Sequence, residues 1–448
     1  MKEYKVMNRN EQIVSKEVQK RKVSDIIFRK DLYARSKPDQ AFITLYESNI
    51  ENVLQTKIEI AQNNILIDGY HRWKAAERKY GKDYELDVIV HLTDDLDYIE
   101  LESYASNTRH GNRNSREDNI RNIRRLYSKG HDIDLIQNKL GLGKTIVYEA
   151  ISDLEKALKA ERDSRIVELY LKAWNTQEQV VDIINTEYSE RLHVDQSKIS
   201  RVLNDMQNSV CGKLHKEWTL DSEDKNYDAT KPFHYNIWRW QENKDVPHFG
   251  HFPEIYFENI LYYHTTPMDI IYDPFAGNGT TVDMCKKWMR RYYCSDRIVK
   301  PGREDDIIQH DIADGLPDNL PRPDLTFLDP PYWVQAEGMY SDQPEDLGNM
   351  PLEEFYQSID KLLTELIVKK SKLIAIVIQP TQYKNDLIFE DHIFHFANIL
   401  HDTYNIEMRY ILPYSTQQYT PQCVEKAKEE KVCLGTYRDL VIWRLNND

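Results

Sequence analysis

The segment Asp329–Trp333, which reads DPPYW, has residue types that could bind and activate an amino group. Its two successive prolines lack N–H donors, so the turn presents carbonyl oxygens to a substrate. A carboxylate and a carbonyl aimed at one NH₂ group would accept both hydrogens and orient the nitrogen lone pair. Tyr332 would offer a flat face on which an extruded base can stack. We predict catalytic roles for Asp329, Pro330, Pro331 and Tyr332; the alternative is a loop exit with a capping aspartate.

A glycine-containing turn, Asp273–Thr281 with the sequence DPFAGNGTT, follows a short apolar strand. Two glycines let the backbone pass close to a ligand, and the following helix N-terminus offers free N–H donors. The turn lacks the Lys-Ser/Thr pair of a phosphate loop and the third glycine of the dinucleotide fingerprint. A structural turn without a ligand is the alternative. The predicted ligand-binding residues are Asp273, Phe275, Gly277, Gly279 and Thr280.

Two more carboxylates follow the next apolar strands. Asp296 ends the strand RYYCSD and could bond both hydroxyls of a ribose. Asp311, with Ile312 beside it, could hold an adenine ring and its amino group. Each acid alone is compatible with a solvated surface position. In series along an α/β sheet, the acids predict one crevice at the carboxyl ends of the strands.

The predicted secondary structure that must position these residues differs between four regions of the chain. The predicted fold class is multidomain: an α+β domain over residues 1–112, an all-α region over 113–207, a linker over 208–245 and an α/β domain over 246–448. In the last of these, short apolar strands alternate with helical patterns. That alternation is typical of a mostly parallel sheet with helices on both faces.

Residues 234–446 closely resemble the amino-group DNA methyltransferases. The resemblance includes DPFAGNGTT, DPPYW, the upstream segment HFGHFPEIYFENIL and the final strand TYRDLVIWR. It implies a Rossmann-like class I methyltransferase domain with a seven-stranded sheet, and S-adenosylmethionine as cofactor. It further implies that the acids and glycines of the turn region bind this methyl donor, and that Asp329, Pro330 and Tyr332 handle the target base. Transfer would be a direct in-line attack of the amino nitrogen on the methyl group.

Some related activities can be set aside from residues. Cytosine-C5 methylation needs a Pro-Cys nucleophile, and the chain has no Pro-Cys dipeptide. Release-factor glutamine methyltransferases favour Asn where this chain has Asp329. Adenine N6 is preferred over cytosine N4, whose enzymes usually have Ser there. An RNA base amino-methyltransferase and a ParB-like DNA-binding scaffold with an inactive methyltransferase domain remain alternatives.

A second strand, glycine turn and helix start occurs at Ile65–Ala76. It resembles the ParB/sulfiredoxin-like domain, whose GxxR turn cradles nucleotide phosphates. The resemblance implies that Gly69, His71 and Arg72 bind CTP or another nucleotide. Sulfiredoxin chemistry needs a cysteine where this chain has Tyr70. A looser match to a second ParB box lies at residues 107–111, and the alternative is a domain used only as a DNA or protein platform.

Two helix-turn-helix units are predicted in the helical region. The first, Ile133–Ile151, has Gly141 at its turn and four apolar residues facing the core, namely Ile136, Leu140, Val147 and Ile151. In the second, a capping box begins at Thr176 and Asp195–Leu203 would be the recognition helix. The predicted DNA-contacting residues are Lys144, Lys198 and Arg201. Helical hairpins without DNA contact are the alternative.

The charge is uneven for a nucleic-acid-binding protein. The formal net charge is −15, yet residues 101–130 and 284–300 carry basic clusters that could neutralise phosphates. Double-stranded DNA is the predicted partner, and a homodimer is left open. The five scattered cysteines predict neither a zinc site nor a disulfide framework, which is typical of a cytoplasmic protein. Because little chain follows TYRDLVIWR, we expect target recognition to lie in the first 207 residues.

Overall fold

The computed structural model describes residues 14–35, 39–109, 114–218, 232–233, 235–239, 252–333, 336–340, 342–382, 389–414 and 419–446. The chain forms two compact units. The N-terminal unit comprises residues up to 162 together with 184–193, and the C-terminal unit comprises 163–183 together with 194–448. Residues 208–218 of the predicted linker over 208–245 belong to a helix, Gln196–Trp218, and most of the remaining linker lies outside the described residues. The domain boundaries predicted from the sequence stay predictions.

A four-stranded sheet opens the N-terminal unit. Its strands are β1 (Lys16–Lys22), β2 (Ile58–Ala61), β3 (Leu66–Asp68) and β4 (Glu85–His91), in the order β1-β4-β2-β3. β2 runs parallel to β4, while β1 and β3 are antiparallel to their neighbours. Helices α1 (Gln40–Ser48), α2 (Ile50–Val53) and α3 (Tyr70–Tyr80) accompany the sheet. Apolar side chains of β2 and β4 are buried in its core, because alternate strand residues face the helices.

Helices follow the sheet. They are α4 (Leu96–Arg109), α5 (Arg116–Ser128), α6 (Ile133–Leu140) and α7 (Lys144–Leu171). Asp132 caps α6 through the Asp134 N–H, and Gly141 ends it in the left-handed conformation with φ 62°. The four apolar residues predicted to face the core of this hairpin are all buried, at 0–2% exposure. The structure therefore contains the helical hairpin, and its contact with DNA stays a prediction.

Two more helices continue the chain, α8 (Gln177–Glu187) and α9 (Gln196–Trp218). The predicted capping box is present at the start of α8. Gln179 N–H donates to the Thr176 hydroxyl at 3.2 Å, and the Gln179 side chain accepts from Thr176 N–H at 2.8 Å. Asp195 caps α9 by accepting from Lys198 N–H at 2.7 Å. Reciprocal bonds of this kind satisfy N–H groups that have no partner inside the helix.

The C-terminal unit contains the predicted seven-stranded sheet. Its strands are β5 (Ile270–Asp273), β6 (Arg291–Asp296), β7 (Ile307–Gln309), β8 (Leu325–Leu328), β9 (Leu373–Ile378), β12 (Tyr404–Pro413) and β13 (Tyr437–Leu445). A separate ribbon joins β10 (Thr381–Gln382) to β11 (Phe389–Glu390). The sheet order is β12-β13-β9-β8-β5-β6-β7. Only β13 runs antiparallel to both of its neighbours.

The helices of this unit are α10 (Glu254–His264), α11 (Thr280–Trp288), α12 (Leu352–Lys369), α13 (His392–Leu400) and α14 (Pro421–Glu430). All six residues of β9 are buried, as expected for a central strand covered on both faces. The chain moves outward from β5 to β7, then returns to place β8 on the other side of β5. This reversal creates a crevice at the carboxyl ends of β5 and β8. None of the helices among the described residues is long and apolar enough to span a bilayer.

Candidate functional site

The predicted acids stand at neighbouring strand ends. Asp273 is the last residue of β5, Asp296 is the last residue of β6, and Asp329 directly follows β8. β5 pairs in parallel with both β6 and β8, so the three carboxyl ends lie at one edge of the sheet. The structure thus brings together the glycine turn and the DPPYW segment, whose first residues, Asp273 and Asp329, are 56 positions apart in the chain.

Asp273 fixes the shape of the glycine turn from within. Its Oδ1 accepts from Phe275 N–H at 2.9 Å, and the Thr281 hydroxyl donates to its Oδ2. Burial raises the pKa of Asp273 to about 7, although both hydrogen bonds act against this rise. Asp273 therefore acts mainly on the turn itself. Thr281 is the residue that bonds to this acid, and the ligand contact predicted for Thr280 stays a prediction.

The two glycines occupy backbone conformations that other residues rarely adopt. Gly277 has φ 51° and Gly279 has φ 89°. Gly277 N–H donates to Asp296 Oδ2 at 2.8 Å, which ties the turn to the end of β6. A Cβ added at Gly279 would lie 2.9 Å from the guanidinium carbon of Arg303. A Cβ at Gly277 would meet only a carbonyl oxygen at 3.9 Å, so the space above this residue is open to a ligand.

Asp296 keeps acceptor capacity on both oxygens. Besides the Gly277 bond, its Oδ1 accepts from Ile298 N–H at 3.0 Å. A carboxylate has about four lone-pair sites, so each oxygen can accept a second hydrogen bond. Burial raises the pKa of Asp296, and the two backbone bonds lower it. This arrangement fits the predicted pairing with two ribose hydroxyls.

Asp311 and Ile312 follow β7 at the edge of the sheet. Asp311 Oδ1 accepts from Ala313 N–H at 2.9 Å, and its Oδ2 lies 3.4 Å from Arg297 Nε. Ile312 is partly buried against the core of the unit. The carboxylate and the apolar side chain are adjacent, as an adenine site would require, and their role in binding stays a prediction.

The DPPYW segment is held from both ends. Tyr332 donates its hydroxyl to Asp329 Oδ1 at 2.9 Å, and the buried Trp333 donates its indole N–H to Met350 O at 2.8 Å. Burial raises the pKa of Asp329 to about 6, while the charge of Arg438 and the Tyr332 bond lower it. Above that pH the carboxylate is the main form and can accept hydrogens from an amino group. Tyr332 therefore also holds the Asp329 carboxylate in place, a role that the sequence did not indicate.

Arg438 was missed by the sequence interpretation. It is the second residue of β13, and its guanidinium carbon lies 5.2 Å from the ring centre of Tyr414 and 5.5 Å from that of Phe252. The stretch TYRDLVIWR indicated a strand, but nothing in its pattern distinguished this arginine from a surface residue.

The N-terminal glycine turn lines a cavity of about 100 Å³ within its own unit. Gly69 has φ 100° and precedes α3, and a Cβ there would lie 3.0 Å from Ile58 and 3.1 Å from Arg72. Arg72 donates to Asp68 at 2.8 Å, while its Nε is buried without a hydrogen-bond partner among the described residues. His71 Nε2 accepts from Asp39 N–H at 3.1 Å. Burial, with the charge of Arg35 nearby, lowers the pKa of His71 to about 4, so its imidazole is neutral at pH 7.

The second predicted nucleotide box is only partly visible. Asn107 lines the same cavity and donates to Ser103 O at 2.8 Å. The side chains at 108 and 109, and residues 110–111, lie outside the described residues.

The predicted DNA-contacting residues differ in their surroundings. Lys144 begins α7, and its ammonium lies 5.7 Å from the Tyr148 ring. Arg201 is exposed on α9, whereas the Lys198 ammonium lies 3.6 Å from Asp163. Ion pairs and backbone contacts occupy much of both basic clusters. The pairs include Arg121–Asp118, Arg124–Asp153, Arg125–Glu100, Lys286–Asp306 and Lys287–Glu258.

An α/β unit with this strand order, and with acids and a glycine turn at its switch point, has the features of a ligand-binding domain. Residues 133–298 match a family model described as DNA methylase. The resemblance to the amino-group DNA methyltransferases, predicted for residues 234–446, is thereby confirmed where the two ranges overlap, at 234–298, which contains the glycine turn and Asp296. The match ends before Asp311 and Asp329. The match covers less than half of the 448 residues, so it shows a likeness to this family over that part of the chain.

Two solved structures of ParB N-domains are similar to parts of the chain. One is the C2221 form of the Pnob8-like ParB-N domain, at 11% identity and a TM-score of 0.22, covering 47% of this chain and 77% of that one. The other is the pNOB8-like ParB N-domain, at 10% identity and a TM-score of 0.21, covering 50% and 74%. ParB is the family that the sequence of the N-terminal turn predicts. Because such low TM-scores carry no argument about fold, the N-terminal unit is described from its own contacts. No curated protein matches the chain.

Proposed function

We propose that the C-terminal unit transfers a methyl group from S-adenosylmethionine to the exocyclic amino group of a DNA base, with adenine N6 preferred over cytosine N4. The observation that carries this proposal is the position of Asp329, fixed by the Tyr332 hydroxyl at the sheet edge that also holds the glycine turn. The two prolines that follow leave the carbonyl groups of this turn available as acceptors.

The residues present fit the proposed methyl donor. Open space above Gly277 admits a ligand close to the backbone, and Asp296 has acceptor sites left for ribose hydroxyls. The carboxylates at the strand ends favour a positively charged sulfonium through their field. When bound, S-adenosylmethionine supplies an electrophilic methyl group. Gly277, Asp296, Asp311 and Ile312 would hold it.

Asp329 and Tyr332 would prepare the target base. The Asp329 carboxylate accepts one amino hydrogen and a carbonyl of the Pro-Pro turn accepts the other, which directs the nitrogen lone pair at the methyl group. A nitrogen–carbon bond forms as the carbon–sulfur bond breaks, and the nitrogen then loses one proton. Asp329 is positioned to accept that proton. The protein would contribute positioning and electrostatic stabilisation without a covalent intermediate.

The preference for DNA and for adenine can be tested on cellular DNA. The protein is produced in a host that lacks DNA methylases, and the DNA is sequenced at single-base resolution. We expect N6-methyladenine within one recurring short sequence, and none in the host without the protein. Modification of cytosine N4 would correct the choice of base. Modification confined to RNA would contradict the choice of DNA.

We propose in addition that the N-terminal cavity binds a nucleotide, with CTP as one candidate. The buried Arg72 Nε and the aromatic residues around it support this proposal. The rings of Phe28 and Tyr70 are 4.5 Å apart, and Phe28 lies 5.3 Å from Tyr33. A cation next to aromatic rings can bind a phosphate and a base together.

A further inference from the structure

The topology of the sheet places Arg438 at the edge that carries the proposed methyl-transfer site. β13 lies between β9 and β12 and runs antiparallel to both, so its first residues lie at the carboxyl edge of the parallel strands. Arg438 pairs with Leu412 in β12, and the next residue, Asp439, pairs with Ile378 at the end of β9. Successive side chains of a strand point to opposite faces. On one face of the sheet, Arg409 Nε donates to Asp439 Oδ1 at 2.8 Å. The Arg438 side chain therefore lies on the opposite face.

The surroundings of Arg438 are unusual for an arginine. Its guanidinium lies close to two aromatic rings, those of Phe252 and Tyr414. Its Nε is buried and has no hydrogen-bond partner among the described residues. A buried cation is costly unless an opposite charge or an acceptor compensates it. Burial alone would lower the pKa of Arg438, yet the charges of Tyr332, Tyr414 and Asp329 raise it.

The Phe252 ring, which lies 5.5 Å from the Arg438 guanidinium carbon, is also 5.2 Å from the ring centre of Phe327 in β8, two residues before Asp329. Arg438 is therefore close to the end of β8, where the DPPYW segment begins. Other titratable groups close to Asp329 are Asp273 from β5, Tyr332 from the same turn, Tyr340 from the following loop and Tyr414 from the end of β12. Within the described part of the chain, Arg438 is the cation whose charge acts on this carboxyl group. It opposes the effect of burial, which alone would favour the uncharged acid.

On the basis of the proposed methyl-transfer function, we propose that Arg438 is a positioning residue that keeps Asp329 as a carboxylate bonded to the Tyr332 hydroxyl. In this arrangement Asp329 can accept a hydrogen from the target amino group. Without Arg438, the buried acid would hold its own proton over a wider pH range, and its protonated oxygen would no longer accept.

The pH dependence of methylation by Arg438→Met tests this role. In the wild type, kcat/KM should fall as the pH drops through the pKa of Asp329, which is about 6. Removing a nearby opposite charge raises a carboxyl pKa by about one unit or more. The acidic limb of the pH profile should therefore shift to higher pH by that amount. At pH values below the pKa of Asp329, a rise of one unit in this pKa lowers kcat/KM about 10-fold. Activity should recover at alkaline pH. Arg438→Lys, which keeps the charge, should restore the position of the limb.

Arg444→Met serves as the matched control, because Arg444 lies on the same strand and pairs with Glu407 away from the site. It should leave the acidic limb in place. An unchanged limb in Arg438→Met would overturn the proposal, and so would an activity loss that is equal at every pH. The second outcome would indicate that Arg438 binds the DNA or supports the fold.

A direct titration separates this inference from the proposed function. NMR of protein labelled with ¹³C at the aspartate carboxyl follows Asp329, whose signal is identified by its absence in Asp329→Asn. The pKa of Asp329 should rise in Arg438→Met relative to the wild type. If the wild type transfers no methyl group, the proposed function fails, while this titration still decides on the role of Arg438. No change in the titration would refute it.

Discussion

The two glycine turns of the molecule share a backbone conformation and differ in charge. Gly69 and Gly279 both precede a helix at positive φ, with values of 100° and 89°. Arg72 and a second arginine, Arg35, line the first turn's cavity, whereas two carboxylates, Asp273 and Asp296, accept hydrogen bonds from the backbone of the second turn. The backbone allows a ligand to come close in both cases. If both proposed functions hold, these side chains favour a phosphate at the first turn and a ribose with a cationic sulfonium at the second.

Each turn also favours the uncharged form of one of its own residues. Burial lowers the pKa of His71 to about 4, and the charges of Arg35 and Arg72 act in the same direction. Burial raises the pKa of Asp273 to about 7, and the charges of Asp329 and Asp296 add to the rise. A group surrounded by like charges is easier to bury when it is neutral. His71 is therefore neutral at pH 7, and Asp273 keeps its proton to a higher pH than an exposed aspartate does.

Among the variants that test the difference between the two turns, Gly279→Ala is expected to have the largest effect on ligand binding. The new Cβ would collide with Arg303. The alanine would also have to adopt a left-handed backbone conformation, which costs about 1–2 kcal/mol. We expect affinity for S-adenosylmethionine, measured by calorimetry, to fall at least ~30-fold. Gly302→Ala is the matched control, since Gly302 has φ 85° and open space around it. Equal affinities in the two variants would show that crowding at the turn is unimportant.

A smaller effect is expected when the charge of the second turn is removed. Asp296→Asn keeps the shape but loses an ionised acceptor, and a hydrogen bond to a charged group contributes about 1.5–3 kcal/mol. Donor affinity should therefore fall about 10- to 100-fold. Asp318→Asn, which changes an exposed carboxylate in the same unit, should have no effect. Unchanged affinity in Asp296→Asn would exclude the predicted ribose contact.

The smallest of these effects concerns the first turn. Arg72→Ala removes one of several cations near the cavity, so we expect about a 10-fold loss of CTP binding in calorimetry. Binding of S-adenosylmethionine should stay the same. Arg78→Ala, on the exposed face of α3, is the control. If the wild type binds neither CTP nor ATP, the N-terminal turn has no nucleotide site and serves as a platform.

The sequence predicted the part of the site that depends on local pattern. Strand, glycine turn and helix follow one another at Asp273–Thr281, and parallel strands place their ends together, so Asp296 and Asp311 were predicted to line one crevice with the turn. These predictions required only the order of the elements. The capping box at Thr176 was predictable for the same reason, because its bonds span three residues.

Contacts set by the tertiary fold could not be predicted in this way. Arg438 lies 109 residues after Asp329 in the sequence and reaches it only because β13 is inserted antiparallel beside β9. The basic clusters show the same limit. Arg125 and Lys287 indicated DNA contact by their neighbours in sequence, yet they pair with Glu100 and Glu258 in the fold.

Transfer of labelled methyl groups is the most direct test of the account. Purified wild type and Asp329→Ala are incubated with unmethylated DNA and S-adenosylmethionine labelled in its methyl group, with Asp318→Ala as a control for loss of an exposed carboxylate. We predict incorporation by the wild type and the control, and a rate about 10²–10³-fold lower for Asp329→Ala, because the acceptor for the amino hydrogen is lost. Equal incorporation by the wild type and Asp329→Ala would contradict the mechanism, and no incorporation by any of the three would favour the DNA-binding scaffold.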